Sequence, residues 1–231
     1  MKSFTAWISI TSLVIFIVFA GCVKVPLKQY YELNYLPGDL IDRQRDEPYP
    51  FTVRLKEFEI EEAYNRPQIV YRQSPFELRY YVYRVWAVKP SRMVTDLVYK
   101  HLLTVNLLNS VIRRYDEGSR PQYELSGMIE ALEEYDSDEL WFSHIALRIN
   151  LVRLEDGRVI YNRRFDLRKK VMAHDPELVI REMSALVEYA ITQAVHDLDK
   201  KFAQEFGTIT KTTVDTSQTV IPDSLIFKEH K

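Results

Sequence analysis

Polar and apolar residues along this chain follow two different periods, and the switches between them mark the elements. Residues 30–36 (YYELNYL) read as a first strand, stopped by Pro37-Gly38, and residues 39–50 as a charged, proline-flanked loop. In residues 51–60, Phe51, Val53 and Leu55 alternate with Thr52, Arg54 and Lys56, the period of a half-buried strand. Residues 68–72 and 77–88 are two more extended stretches, and Ser74-Pro75 between them predicts a hairpin.

The period then lengthens. Val94, Leu97, Val98, Leu102, Val105, Leu108 and Ile112 recur at helical spacing, and Leu103, Leu107 and Val111 widen the stripe. Pro90-Ser91 open this helix, with Ser as N-cap and Pro in the first turn, and Arg113-Arg114 end it, where cations suit the helix dipole. Alternation returns in Tyr123, Leu125, Gly127, Ile129 and Ala131 and again in Ile145, Leu147, Ile149 and Leu151. Asp156-Gly157 is a hairpin turn, and Val159, Tyr161 and Phe165 continue on the return strand. Asp175-Pro176 cap a second long helix with Val179, Met183, Leu186, Val187, Ala190, Ala194, Leu198 and Phe202 on its apolar face. After Gly207, Thr, Ser and Asp replace the apolar residues, which predicts a mobile tail.

The expected order is ββββ-α-βββ-α. This is an α/β single domain, a mixed sheet of about six to seven strands packed with two long helices. The passage from the fourth strand through the first helix to the fifth fits a right-handed parallel crossover.

Composition narrows the function classes. Hydrophobic content of 46% is that of a globular protein with a real core, and a net charge of −2 with interspersed signs leaves no footprint for nucleic acid. Six glycines give little material for phosphate-cradling loops, whereas 15 tyrosines fit surfaces that are apolar at one end and wet at the other.

The N-terminus adds a compartment. Met1-Lys2 is followed by a nearly uncharged run over residues 4–19 and then by Ala20-Gly21-Cys22, the form of a secretory signal peptide with a small-residue cleavage site. A cysteine just past the cut resembles a bacterial lipoprotein signal, in which the thiol receives a diacylglycerol and the freed amine is acylated. Two or more acyl chains hold a protein on a membrane stably. Phe19 departs from the Leu usual at that position. Two other readings stand beside lipidation: an uncleaved anchor, although the run ends short of the roughly 20 apolar residues a span needs, and plain secretion. With Cys22 acylated, no cysteine remains for a disulfide, so the fold relies on its core. Val23 after the cysteine is not the Asp that resembles an inner-membrane retention signal, which favours the outer membrane. The segments expected are a signal peptide (1–21), an acylated tether (22–29), a folded domain (30–206) and the tail (207–231).

No catalytic constellation emerges, and the chain reads as a non-enzyme without cofactor or metal. The five histidines are isolated: His101 and His196 in helices, His144 in a strand, His174 in a loop and His230 in the tail. There is no metal-ligand spacing, and Ser126-Gly127 lies inside a strand rather than at a nucleophile elbow. Glu130, Glu133 and Glu134 invite comparison with paired glycosidase carboxylates. They run toward the acidic tip Asp136-Ser137-Asp138-Glu139, and a solvated hairpin end explains them better. Arg163-Arg164 and Arg168-Lys169-Lys170 read as solvated cations or as contacts to lipid headgroups. The run Phe76, Tyr80, Tyr81, Tyr83 and Trp86 reads either as core with cross-strand pairing or as a partner-binding edge. Tyr81 and Tyr83 share the face of Glu77 and Arg79, so Tyr81, Tyr83 and Trp86 are the candidate binding residues.

Residues 66–72 (RPQIVYR), the stretch from Leu78 to Trp86-Ala87, Pro90 with its Leu/Val helix, Tyr123-Glu124-Leu125-Ser126-Gly127, the Asp156-Gly157 turn, Phe165 and the Ala-rich last helix together carry a resemblance. They resemble the ABC-type transport auxiliary lipoproteins over roughly residues 29–205. Where that family reads R-W-A at the end of its second strand, this chain has Arg84-Val85-Trp86-Ala87, with Val85 inserted. The resemblance implies an outer-membrane partner of an MCE-domain protein that, with an inner-membrane ABC permease and ATPase, moves lipids across the envelope. It implies no cofactor, and a homo-oligomer matching the MCE ring fits the same picture. Two other roles stay open: a lipoprotein that scaffolds or activates cell-wall or secretion machinery, and one that binds an acyl chain in its core.

Overall fold

The computed structural model describes residues 26–37, 47–114, 118, 120–136, 141–172 and 175–218, with 208–218 as backbone. The signal peptide, Cys22, the tip 137–139, His174 and residues 219–231 lie outside the described residues. The elements are β1 (Gln29–Tyr31), β2 (Tyr49–Leu55), β3 (Glu59–Ile60), β4 (Gln68–Ser74), β5 (Glu77–Trp86), α1 (Pro90–Val105), β6 (Leu108–Ile112), β7 (Tyr123–Asp136), β8 (Trp141–Arg153), β9 (Val159–Lys170) and α2 (Pro176–Gln218). The expected mixed α/β domain with two helices is what forms, with nine strands among the described residues rather than six or seven.

β7 is the spine. Along one side it pairs antiparallel with β8 from Tyr123↔Arg153 to Asp136↔Trp141, and β8 pairs in turn with β9. Along the other side three short strands meet it in succession, all parallel: β2 at Val53↔Tyr123, β3 at Glu59↔Met128 and β4 at Val70↔Glu133. β6 extends the sheet beyond β2, and β5 followed by β1 extends it beyond β4. β4 is parallel to β7 and β5 is antiparallel to β4. The connection from β5 through α1 therefore does not make the parallel crossover that element order predicted.

Two strand-level expectations change for local reasons. The helix that opens at Pro90 stops at Val105, because Asn106 adopts a left-handed conformation (φ 48°, ψ 42°) and turns its N–H back to the Leu103 carbonyl. Asn is among the few non-glycine residues that accept this conformation. Leu107, Leu108 and Val111 are buried as expected, but beyond the helix, the last two in β6, and Leu103 is half exposed. At the other end Lys89 holds the cap position, and Ser91 lies inside the helix with its hydroxyl donating to Glu57 (3.0 Å). The first strand is also shorter than predicted. Only β1 pairs, and residues 32–36 form an irregular strap over both helices. Leu33 enters the core, its N–H facing Met93 Sδ (3.2 Å), and the Asn34 N–H donates to Ser184 Oγ (3.1 Å).

The core lies between the helices and one face of the sheet. All the predicted α2 face is buried except Leu186, which is half buried, and Asp175 caps the helix by accepting the Glu177 N–H (2.9 Å). Phe202 sits among Tyr49, Phe51 and Tyr123, with centroids 5.9, 5.6 and 5.3 Å away. α2 runs past Gly207 to Gln218, so the composition change there does not end it. No described helix is long and apolar enough to cross a membrane. Gly127 is required by a close approach: a Cβ there would stand 2.2 Å from the buried Phe58 ring.

Candidate functional site

Side chains on β8 alternate between the two sheet faces. The Ser143 hydroxyl donates to the Val179 carbonyl of α2 (2.8 Å), so odd-numbered residues there face the helices and His144 faces away from them. On this helix-free face, residues from four strands and one turn converge. Tyr64 donates to Glu133 Oε2 (2.6 Å), and the Arg72 Nε donates to both Glu133 oxygens (3.2 and 3.1 Å). His144 Nδ1 lies 3.0 Å from Glu133 Oε1 and its Nε2 2.9 Å from Asp166 Oδ1. Arg164 joins Asp166 to Glu130, which also pairs with Arg148 (2.8 Å). The chain of charge borders a depression of about 540 Å³ lined by Tyr64, Arg72, Glu133, His144, Asp166 and Arg168, among others.

The electrostatics follow from what each carboxylate touches. Burial pulls the Glu133 pKa up, but hydrogen bonds from His144, Tyr64 and Arg72 outweigh it and hold the group below the usual carboxylate range. Asp166 is treated the same way: burial raises, and His144 and Arg164 lower it further than burial lifts it. The Arg164 hydrogen bond is foremost in lowering Glu130. Burial, reinforced by the bond to Glu133, pushes the Tyr64 hydroxyl up and keeps it a donor. These polar atoms satisfy one another. The arrangement ties β4, β7, β8 and β9 together at one level and presents a fixed pattern of charge on the face that no described helix covers.

The carboxylates were not expected here. Glu133 and Glu134 are buried, not solvated, and His144 is not isolated. The cause is a bulge in β7: Ile129 pairs with Leu147, but Ala131 pairs with Ala146, so Glu130 is an extra residue and the alternation changes phase. Ala131 leaves the face of Ile129 and joins Tyr64, Val70 and Ala146 in a small second cluster. Glu133 then points to the helix-free face, while Glu134 points inward and accepts the Trp141 indole N–H. There burial raises the pKa of Glu134 despite hydrogen bonds from Trp141 and Tyr81.

The aromatic candidates separate. Trp86 is 4% exposed and belongs to the core. Tyr81 is half buried, stacked on Tyr71 (4.4 Å) beneath the Arg84 guanidinium (4.3 Å). Tyr83 is open to solvent, and so are Phe76 at the hairpin tip and Val82. β1 covers the outer edge of β5 only at Arg84, Val85 and Trp86. Arg163 is bound to Asp197 (2.6 Å) and Lys169 to Glu182, so these cations serve the fold first. Arg113 and Arg114 follow a strand instead of ending a helix, and Arg113 pairs with Asp96 of α1 (2.7 Å).

No curated protein matches the chain significantly. A protein-family model described as "ABC-type transport auxiliary lipoprotein component" matches residues 36–195. Among solved structures, the chain is similar to a DUF330 protein from Xanthomonas campestris, with a TM-score of 0.64 at 19% identity over 78% of this chain and 99% of that one. It is also similar to an uncharacterized protein, with a TM-score of 0.59 at 11% identity over 75% of this chain and 99% of that one. At these identities the structural likeness is one of fold.

Proposed function

The chain belongs to the ABC-type transport auxiliary lipoprotein component family, and from that premise we propose that it is a non-catalytic docking component of an envelope lipid-transport system. In this reading an acylated Cys22 holds the domain at the periplasmic face of the outer membrane. There the domain engages an MCE-domain protein, through which an inner-membrane ABC permease and ATPase drive lipid movement. The observation that carries the proposal is the family match over most of the folded domain. A cross-linked, charge-patterned face that no described helix covers supports it, because such a surface favours specific docking through complementary charge. The reading with an acyl chain in the core draws no support from the depressions of about 540 and 490 Å³, whose linings carry arginines and carboxylates.

The test is isolation of the full-length acylated chain from its own envelope after cross-linking through a photoreactive residue at Arg168, on the rim of the helix-free depression. An MCE-domain protein as the cross-linked product supports the proposal. A cell-wall or secretion component in its place would move the protein to that other role. An envelope whose gene neighbourhood and cross-links contain neither an MCE protein nor an ABC permease overturns it.

A further inference from the structure

The tether is short compared with the domain. Six residues, Val23 to Lys28, separate Cys22 from Gln29. Fully extended, they reach about 22 Å, whereas α2, with 43 residues, is about 65 Å long. An acylated Cys22 therefore cannot leave the domain free to present any side to the bilayer. Whatever surrounds β1 is kept near the membrane.

What surrounds β1 is the most open apolar surface near the tether. Leu27 is 87% exposed, Tyr30 67%, Val82 68% and Tyr83 41%. Gln29 pairs with Arg84 and Tyr30 with Val85, so Leu27 and Tyr30 run beside Val82 and Tyr83 where the tether joins the sheet edge, with side chains on both faces of that edge. Lys28 stands exposed among them and Arg84 is partly so. Tyrosine suits the headgroup level of a bilayer, where its ring lies in apolar surroundings and its hydroxyl in water, and a lysine can keep its stem apolar and its ammonium at the phosphates. Exposed apolar residues gathered in one place, rather than scattered singly, mark a surface that meets a partner or a membrane.

We propose that the β1–β5 edge, through Leu27, Tyr30, Val82 and Tyr83, lies in the interfacial zone of the same membrane that holds Cys22. This rests on the acylation of Cys22 and adds a fixed orientation to it. The edge of β5 then serves lipid and not a protein partner. α2 leads away from β1: its start lies by Tyr31, whose hydroxyl is pushed up chiefly by burial and also by Asp175 and Glu177. Glu205, far along it, pairs with Arg153 at the Asp156-Gly157 hairpin. That hairpin therefore stands about 40 Å from β1, at the rise of an α-helix.

The test uses the full-length acylated chain reconstituted into vesicles of phosphatidylethanolamine and phosphatidylglycerol, some carrying a nitroxide on the headgroup. With Cys22 acylated, a cysteine introduced as Tyr83→Cys, Leu27→Cys or Arg158→Cys is the single free thiol for an environment-sensitive dye. The expected result is blue-shifted emission and severalfold stronger nitroxide quenching at positions 83 and 27 than at 158, on protein that floats with the vesicles. Floating protein with all three dyes quenched equally weakly overturns the orientation while leaving acylation intact. A blue shift at 83 without quenching shows a protein surface over the edge and overturns it too. Protein that does not float overturns the acylation reading, and the orientation falls with it.

Discussion

His101 should make the fold sensitive to acid well above the range where carboxylates titrate. The ring sits inside α1 at 1% exposure, with Nδ1 3.3 Å from the Tyr35 hydroxyl and no hydrogen-bond partner for Nε2 among the described residues. Burial lowers its pKa from 6.5 to about 4. A base with a lowered folded-state pKa is neutral in the fold and takes up a proton on unfolding. The unfolded chain thus binds more protons between about pH 6.5 and pH 4, and stability falls as pH falls through that window. At about 1.4 kcal/mol per unit, the full loss is about 3 kcal/mol, a large share of a typical domain's stability. The carboxylates held low by their partners add losses of the same sign at more acidic pH. The assay is urea unfolding followed by tryptophan fluorescence, since Trp86 and Trp141 are both buried. It is run across the window on wild type and on His101→Gln, which keeps a polar contact for Tyr35 but cannot titrate there. His101→Gln should be less stable near neutrality through lost packing, yet its stability should fall with acid by about 3 kcal/mol less than wild type. Equal slopes for the two proteins would refute the argument, whatever their midpoints.

Gly127→Ala should cost about 1–3 kcal/mol, because its Cβ meets the Phe58 ring at 2.2 Å; adding Phe58→Leu should recover much of that loss, and an unchanged melting temperature in the single variant would contradict the close approach. The neighbouring glutamates should respond with opposite signs: Glu133→Gln should destabilise by about 2–3 kcal/mol at neutral pH by weakening its charged hydrogen bonds. Glu134→Gln, at a site whose burial disfavours the ionised form, should be neutral or stabilising, and thermal melts of the pair check both, with equal losses counting against the assigned faces. Cys22→Ser should leave near-UV circular dichroism unchanged and move the protein out of the membrane fraction, because the described tether residues 26–29 are exposed and the core is built from later elements. Retention of the variant in membranes, with no acyl label on wild type, would rule out the lipoprotein anchor for this chain.

Local pattern was enough for much of the architecture. The alternation of Phe51, Val53 and Leu55, the 68–86 hairpin, the Asp156-Gly157 turn and the α2 stripe with its Asp175 cap are all present. The end of α1 was not legible. Leu107, Leu108 and Val111 continue a helical spacing and also suit a short buried strand, and only the left-handed backbone of Asn106 decides between them. The charged network was illegible for a different reason. Tyr64, Arg72, Glu133, His144 and Asp166 lie on separate segments, and Tyr64 and Arg72 meet Glu133 across 69 and 61 residues of sequence, so no local pattern announces the network. Trp86 and Tyr81 were ambiguous because aromatics serve cores and binding edges alike; the insertion of Val85 beside Trp86 falls where the β4–β5 pairing slips, between Val70↔Tyr80 and Gln68↔Val85.

The bulge at Glu130 connects these observations. Without it, β7 would keep one phase from Tyr123 to Asp136, with Glu133 facing the helices and Glu134 facing away. The extra residue reverses them, placing the glutamate that meets Tyr64, Arg72 and His144 on the helix-free face. It leaves inside the one that needs only the Trp141 and Tyr81 donors. The bulge also supplies the Glu130 side chain that joins Arg148 to Arg164. One backbone irregularity thus produces both the charged relay and the second apolar cluster beneath the turn that carries Tyr64. A sheet cross-linked in this way through four strands resists shear between its edges. That resistance suits the docking role proposed above, in which a membrane holds the β1–β5 edge and a partner loads the other face.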